Sequence, residues 1–290
     1  MKNILITGAT GNIGFEVIKF LYKNNSSNKI IAGVRNVEKA KLFFNDFPRL
    51  ELRRFDFEDA QTYESSFADI DRVFLLRPPH ISDVKKYFKP ILEQLKRNNI
   101  SEIVFLSVQG VEKTSFIPHN KIERLIKLLG FNAIFLRPSY FMQNLTTTLL
   151  SDIKTKRAII LPAAKAKFNW VDVENIGELA ALMLDHFSEF KNQNFEITGT
   201  QNASFQEVVD LINVQIENPI QFINRNPIHF YRCKQKEGIN SGMILVMIML
   251  HFLPRFQKKP TISNAYKELT GKPATTLELF IKRELNYFEL

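Results

Sequence analysis

An α/β fold, with a doubly wound parallel sheet followed by a smaller C-terminal lobe, is predicted by three features of the sequence. Short apolar runs alternate with amphipathic stretches through the first half of the chain. A turn with spaced glycines follows the first apolar run directly, and the strict alternation fades from about residue 139 onward.

Residues 1–7 carry Ile4, Leu5 and Ile6 without interruption, the pattern of a strand buried on both faces. Ile13, Val17, Phe20 and Leu21 then recur at helical spacing until the turn-forming run at 24–28. Residues 29–34 read as a second strand, 37–44 as a helix, 50–55 as a third strand and 62–67 as a short helix. A fourth strand over 72–76 ends at Arg77-Pro78-Pro79, because two prolines cannot donate to a sheet ladder. A helix over 83–98, a strand over 102–107, a helix closing at Gly130 and a strand over 132–136 complete the alternation. Such a pattern predicts right-handed crossovers, with ligands beyond the C-terminal strand ends. Farther on, a strand over 168–171, helices over 173–187 and 204–216, a strand over 194–198 and a last helix over 277–285 follow at irregular spacing.

The composition is that of a folded globular chain: 290 residues, 45% hydrophobic and 24% charged. The net charge of +9 is dispersed as short pairs, so no nucleic-acid partner is expected; a polyanionic cofactor accounts for part of it. A single cysteine, Cys233, excludes an internal disulfide framework and fits a reducing, cytoplasmic setting. The first residues lack a signal-peptide pattern. The apolar run 243–253 is about half the length a bilayer-spanning helix needs, so a buried or interface helix is expected there and no membrane partner. The five histidines are scattered with no paired ligand spacing, so no metal site is expected.

The chemistry begins at Thr7-Gly8-Ala9-Thr10-Gly11-Asn12-Ile13-Gly14. Gly8 permits the tight turn, Gly11 lets backbone approach a pyrophosphate, and Gly14 lets the helix pack on the strand. The helix start offers free N–H groups to phosphate, with Thr10, Asn12 and Ile13 beside it. This is the Rossmann pattern of a dinucleotide-binding unit, assigned to 1–150, with 151–290 as a smaller substrate or partner lobe and room for the chain to cross between them. Where an NAD-preferring unit carries a carboxylate, the sequence reads Val34-Arg35-Asn36, so NADP(H) is favoured over NAD(H). Arg35 suits a 2′-phosphate, and Lys39 adds charge one turn on. Asp56 suits the adenine amino group or, equally, a helix cap. Leu76 and Arg77, after the fourth strand, are placed for backbone contacts with the cofactor.

These residues together resemble the NmrA-like branch of the atypical short-chain dehydrogenase/reductases. The resemblance runs on through Arg54-Phe55-Asp56-Phe57, Leu106-Ser107 with Gly110, His119 to Glu123, Leu136-Arg137-Pro138 with Phe141, Met142 and Asn144, Trp170-Val171-Asp172-Val173, and Gly199. It is nearest the quinone oxidoreductase and triphenylmethane reductase group. It implies hydride transfer from NAD(P)H to a quinone-like or other conjugated small molecule, in place of which the namesake group offers a non-catalytic redox sensor that binds a partner protein. His119-x-x-x-Glu123 stands where the wider superfamily keeps Tyr-x-x-x-Lys, so the usual proton donor is missing. His119 and Glu123, four apart, share a helical face on which they would orient each other, although Glu123 would equally be a plain helix-surface residue. Ser107 occupies the place of the substrate-orienting hydroxyl or simply ends its strand, and Tyr140, Phe141 and Asn144 are expected in the substrate wall or in the core. The basic C-terminal lobe, with its apolar run, offers a surface for a regulatory partner or a homodimer.

Overall fold

The computed structural model describes residues 1–289 and divides the chain into two compact units. The first comprises Met1–Pro138 together with Val173–Ile197; the second comprises Ser139–Asp172 and the chain from Thr198 onward. The division thus falls at Pro138 rather than at residue 150, and a later segment returns to the first unit. The reason is a sheet position: Asn194–Ile197 pairs in parallel with the strand ending at Pro138.

The first unit follows the expected order. It runs β1 (Asn3–Ile6), α1 (Asn12–Lys23), β2 (Lys29–Val34), α2 (Val37–Phe43), β3 (Glu51–Arg54), α3 (Tyr63–Ser66), β4 (Arg72–Leu75), α4 (Val84–Arg97), β5 (Glu102–Leu106), α5 (Pro118–Leu128) and β6 (Asn132–Pro138). The sheet has seven strands in the order Asn194–Ile197, β6, β5, β4, β1, β2, β3, every neighbouring pair parallel. Strand order therefore reverses between β1 and β4, which makes a crevice for ligands at their C-terminal ends.

Each strand is short and nearly continuous in apolar residues because both faces are covered. Over one face, Leu5, Val73, Leu75, Ile103 and Phe105 join Phe88, Ile91 and Leu92 of α4 and Ile122 and Ile126 of α5 in one core. Over the other, α1 lies against the helix Val173–Asp185, where Gly177 admits the close approach: a Cβ there would stand 2.5 Å from Glu16 Cβ. Helix starts are capped locally, Asn36 accepting from the N–H of Lys39 and Asp83 from that of Lys86. Arg72, buried within β4, pairs with Glu102 at 2.6 Å and donates to the carbonyl of Leu184.

The second unit is built on an aromatic core. A three-stranded sheet sets Phe168–Val171 between Asn202–Ala203 and Tyr140–Phe141, and Ala158–Leu161 pairs in parallel with Gln221–Asn224. That second pair was not foreseen in the sequence, since each strand is short and its partner lies some sixty residues away. Trp170, Phe205, Phe230, Phe280 and Phe288 are fully buried, and the indole N–H of Trp170 donates to the Ala203 carbonyl at 3.0 Å. Gly199 sits so close to the Trp170 carbonyl that a Cβ would fall 1.6 Å from it. The run expected as a buried or interface helix forms Ser241–Phe252, but only Ile244, Met247 and His251 are buried. Among the described residues no helix is long and apolar enough to cross a membrane.

Phe205 packs edge-on to Trp170 and Phe168, ring centroids 5.1 Å away in each case. Phe205→Ala should cost about 3–5 kcal/mol of stability, read as a lower urea midpoint at unchanged slope.

Candidate functional site

The glycine turn is the tightest point of the first unit. Gly8 adopts φ +62°, a left-handed conformation that suits glycine, and its carbonyl accepts from the N–H of Gly11 at 2.9 Å. A Cβ on Gly14 would lie 2.3 Å from that same carbonyl oxygen, so α1 packs on the turn only because Gly14 has no side chain. Thr7 ties the ends of the two switch-point strands: its hydroxyl donates to the Phe74 carbonyl at 2.9 Å and accepts from the N–H of Leu76 at 3.2 Å. Thr10, Gly11 and Asn12 are exposed and Ile13 is half-buried, so the first turn of α1, which contains no acidic residue, opens outward. The Leu76 side chain closes over Gly8, where a Cβ would meet its methyl carbon at 2.7 Å.

At the ends of β2 and β3 the charges are positive. Arg35 and Lys39 are exposed, and among the described residues neither side chain has a hydrogen bond or ion pair. Arg54, which the family resemblance includes without a cofactor role, is a third cation; β3 pairs with β2 so that Arg54 stands opposite Val34, the residue before Arg35. Arg54 makes an exposed ion pair with Asp59 at 3.1 Å. Asp56 does not cap a helix; it accepts from the N–H of Glu58 at 3.0 Å, and Asp59 caps the short turn that follows.

Arg77 is engaged by its own loop. Its Nη1 donates to the carbonyls of Pro78, Pro79 and Ile81 at 3.0, 3.1 and 2.6 Å, and its Nε donates to His119 Nε2 at 3.3 Å. That bond leaves the imidazole proton on Nδ1. Burial, and then the Arg77 charge, hold the His119 pKa down at about 3, so the ring is neutral at ordinary pH. Glu123 is buried at 4% exposure and grips Arg137 with both oxygens, at 3.0 Å from Nε and 2.7 Å from Nη2, with Glu112 at 3.6 Å from the same arginine. The expectation that His119 and Glu123 orient each other is therefore corrected, as is the reading of Glu123 as a helix-surface residue. Two arginines, one after β4 and one in β6 with β5 between them, claim the pair separately. Ser107 follows β5, its N–H donating to the Leu136 carbonyl at 2.7 Å, while its buried hydroxyl oxygen has no partner among the described residues. Since Leu75 stands opposite Phe105, Arg77 and Ser107 emerge at the same end of adjacent strands.

The residues expected to wall the substrate belong to the second unit. The Tyr140 ring lies 4.8 Å from Trp170 and 5.3 Å from Phe168, inside the aromatic core rather than lining an open pocket. Its hydroxyl meets His251 Nε2 at 3.0 Å, and the other ring nitrogen of His251 donates to the Met247 carbonyl at 2.6 Å. Burial raises the Tyr140 pKa, partly offset by its bond to Asn144, and lowers that of His251 to about 4. Phe141 is half-buried and outside the ring cluster. Among the described residues no group of three or more His, Cys, Asp or Glu is placed to hold a metal ion.

The comparisons agree with this architecture. Residues 1–274 match the model of the NmrA-like family. Over 281 residues the chain is 29% identical to Prestalk A differentiation protein A of Dictyostelium discoideum, covering 97% of this chain and 91% of that one. Its fold superimposes on a Citrobacter sp. triphenylmethane reductase complexed with NADP(H) at a TM-score of 0.82 and 20% identity, covering 97% and 99% of the two chains. An NADPH-dependent quinone oxidoreductase of Escherichia coli complexed with NADPH gives 0.82 at 18% identity, with 98% and 100% covered.

Glu123→Ala would strand Arg137 in a half-dry site and should lower stability by about 3–5 kcal/mol, measured by thermal or urea unfolding. His119 and His251 are held below the ordinary value of 6.5, so the unfolded chain binds protons that the native one does not. Their contribution is complete above pH 6.5 and is lost as pH falls toward 3 and 4. Replacing His119 by Gln should remove up to about 1.4 kcal/mol per pH unit from the acid-side slope of stability, seen in urea unfolding between pH 6 and 4.

Proposed function

The chain belongs to the NmrA-like family, and on that premise we propose that it is an NADPH-dependent reductase acting on a quinone-like or other conjugated small molecule. The observation that carries this reading is the cradle at Gly8, Gly11 and Gly14, where any side chain on Gly14 would collide with the turn and where the exposed helix start is open to phosphate. The residues fit a dinucleotide. Gly11 and the N–H groups of Asn12 and Ile13 would hold the pyrophosphate, Leu76 would cover the glycine turn, and Arg35 with Lys39 and Arg54 would take a 2′-phosphate. Bound there, the nicotinamide cofactor supplies a hydride.

The chain's own residues then set the acceptor chemistry. His119 is neutral, with Nε2 occupied by Arg77, and Glu123 is locked on Arg137, so neither replaces the missing tyrosine as a proton donor. The free hydroxyl of Ser107 is the group left to orient an acceptor oxygen. Quinones and conjugated cations suit such a site because solvent can deliver their proton after the hydride. The same lack of a donor favours a second reading, a redox sensor that binds either cofactor form without turnover and passes its state to a partner protein.

Purified protein should bind NADPH and oxidise it only when a simple quinone is added, followed as loss of reduced-cofactor absorbance. Equal binding of both redox forms with no turnover would establish the sensor instead. Gly11→Val is the site variant, since its Cβ meets only the Gly8 carbonyl, at 3.3 Å, a contact relieved by a shift of a few tenths of an ångström, and circular dichroism checks that the variant is folded. NADPH binding should fall at least about a hundredfold, and unchanged affinity would sink the assignment. Arg35→Asp should weaken NADPH about ten- to a hundredfold with little effect on NADH.

A further inference from the structure

Helix Ser241–Phe252 is apolar nearly all round, yet it is neither buried nor paired along its outer side. With Ile244, Met247 and His251 directed into the second unit, Leu245 is left 58% exposed, and Val246, Met249 and Leu250 lie in solvent beside it. The apolar surface continues into the turn Leu253–Phe256, where Phe256 is 74% exposed. On the adjoining helix Pro227–Lys236, Ile228 and Tyr231 line one open groove with Leu245 and Ile248. Single exposed apolar residues need no explanation, but a continuous set on two neighbouring elements does.

The charges around this surface are mostly positive, Glu207 being taken by Lys167. Beyond the C-terminal end of the helix lies a cleft of about 470 Å³ whose charged lining residues are Lys165, Lys167, Arg255 and Lys259. Lys167 is held by Glu207; Lys165 and Lys259, with Lys258, extend into solvent, and Arg255 stacks its guanidinium 4.9 Å from the Phe252 ring. Between residues 238 and 267 the sequence contains no Asp or Glu. A second copy docking two-fold on this face would bring Lys165, Arg255, Lys258 and Lys259 against their own copies, with Glu207 already taken by Lys167.

We infer that this face docks on the surface of an anionic lipid bilayer. Leu245, Leu250, Leu253 and Phe256 enter the boundary between headgroups and acyl chains, and Lys165, Arg255, Lys258 and Lys259 meet the lipid phosphates. A helix of 12 residues is too short to span and lies in the plane of the interface. The charge complementarity decides the occupant, because a neutral apolar partner would leave every one of these cations unanswered.

Vesicle flotation tests it with the full chain, using phosphatidylcholine alone and phosphatidylcholine with about a third phosphatidylserine. Binding should be confined to the anionic vesicles and should weaken as salt is raised from about 0.1 to about 0.5 M. Lys258→Glu with Lys259→Glu should reduce it at least about tenfold. Leu250→Glu with Phe256→Glu should abolish it while leaving the circular dichroism and Tm intact, since both side chains are exposed. Absent binding to anionic vesicles, equal binding to neutral ones, or binding that survives the Leu250/Phe256 variant would each overturn the proposal. A concentration-dependent dimer in light scattering that the same variant converts to monomer would overturn it too, by assigning the face to a second copy.

Discussion

Everything at the head of the sheet depends on how closely α1 approaches the turn that precedes it. The 2.3 Å that would separate a Gly14 Cβ from the Gly8 carbonyl is a backbone-to-backbone constraint, not a preference that neighbouring side chains could relax. Because the helix starts that close, its first N–H groups point out beyond β1 at the place where strand order reverses. Thr7 holds the β1 and β4 ends in register, so the Leu76 cover and the glycine turn move as one.

Around that fixed point, two partly buried arginines decide which titratable groups remain free for chemistry. Arg77 folds the double-proline loop onto itself through Nη1 and turns its Nε–H to His119. Arg137 takes both oxygens of Glu123. Each arrangement answers a buried charge with close, directional partners, which is how such a charge is tolerated. The consequence is a His-x-x-x-Glu engaged in structural bonds, with the Ser107 hydroxyl left without a partner among the described residues at the end of β5. Hydride acceptors that need no protein acid fit that arrangement, and so does ligand binding without turnover.

The second unit follows another logic. Its core is a set of rings crossed edge to face around Trp170, Tyr140 and Phe205, with His251 kept neutral among them. Filling that core uses one side of the helix Ser241–Phe252 and leaves the other side apolar and wet, beside a cleft lined by Lys165, Lys167, Arg255 and Lys259.

The sequence by itself determined the strand–helix alternation of the first unit, the glycine turn, the cation after β2 and the loss of the tyrosine–lysine pair. These are local signals: runs of apolar residues, fixed spacing, and the presence or absence of a residue type. It did not determine where the units divide, because Asn194–Ile197 joins its sheet by pairing across a long separation. Nor did it determine that Arg54 stands opposite Val34, that Arg77 and Arg137 claim His119 and Glu123, or that Tyr140 belongs to the core. Those outcomes were decided by strand register and side-chain packing between segments far apart in the chain, where the energy of one contact depends on every neighbour that excludes water from it.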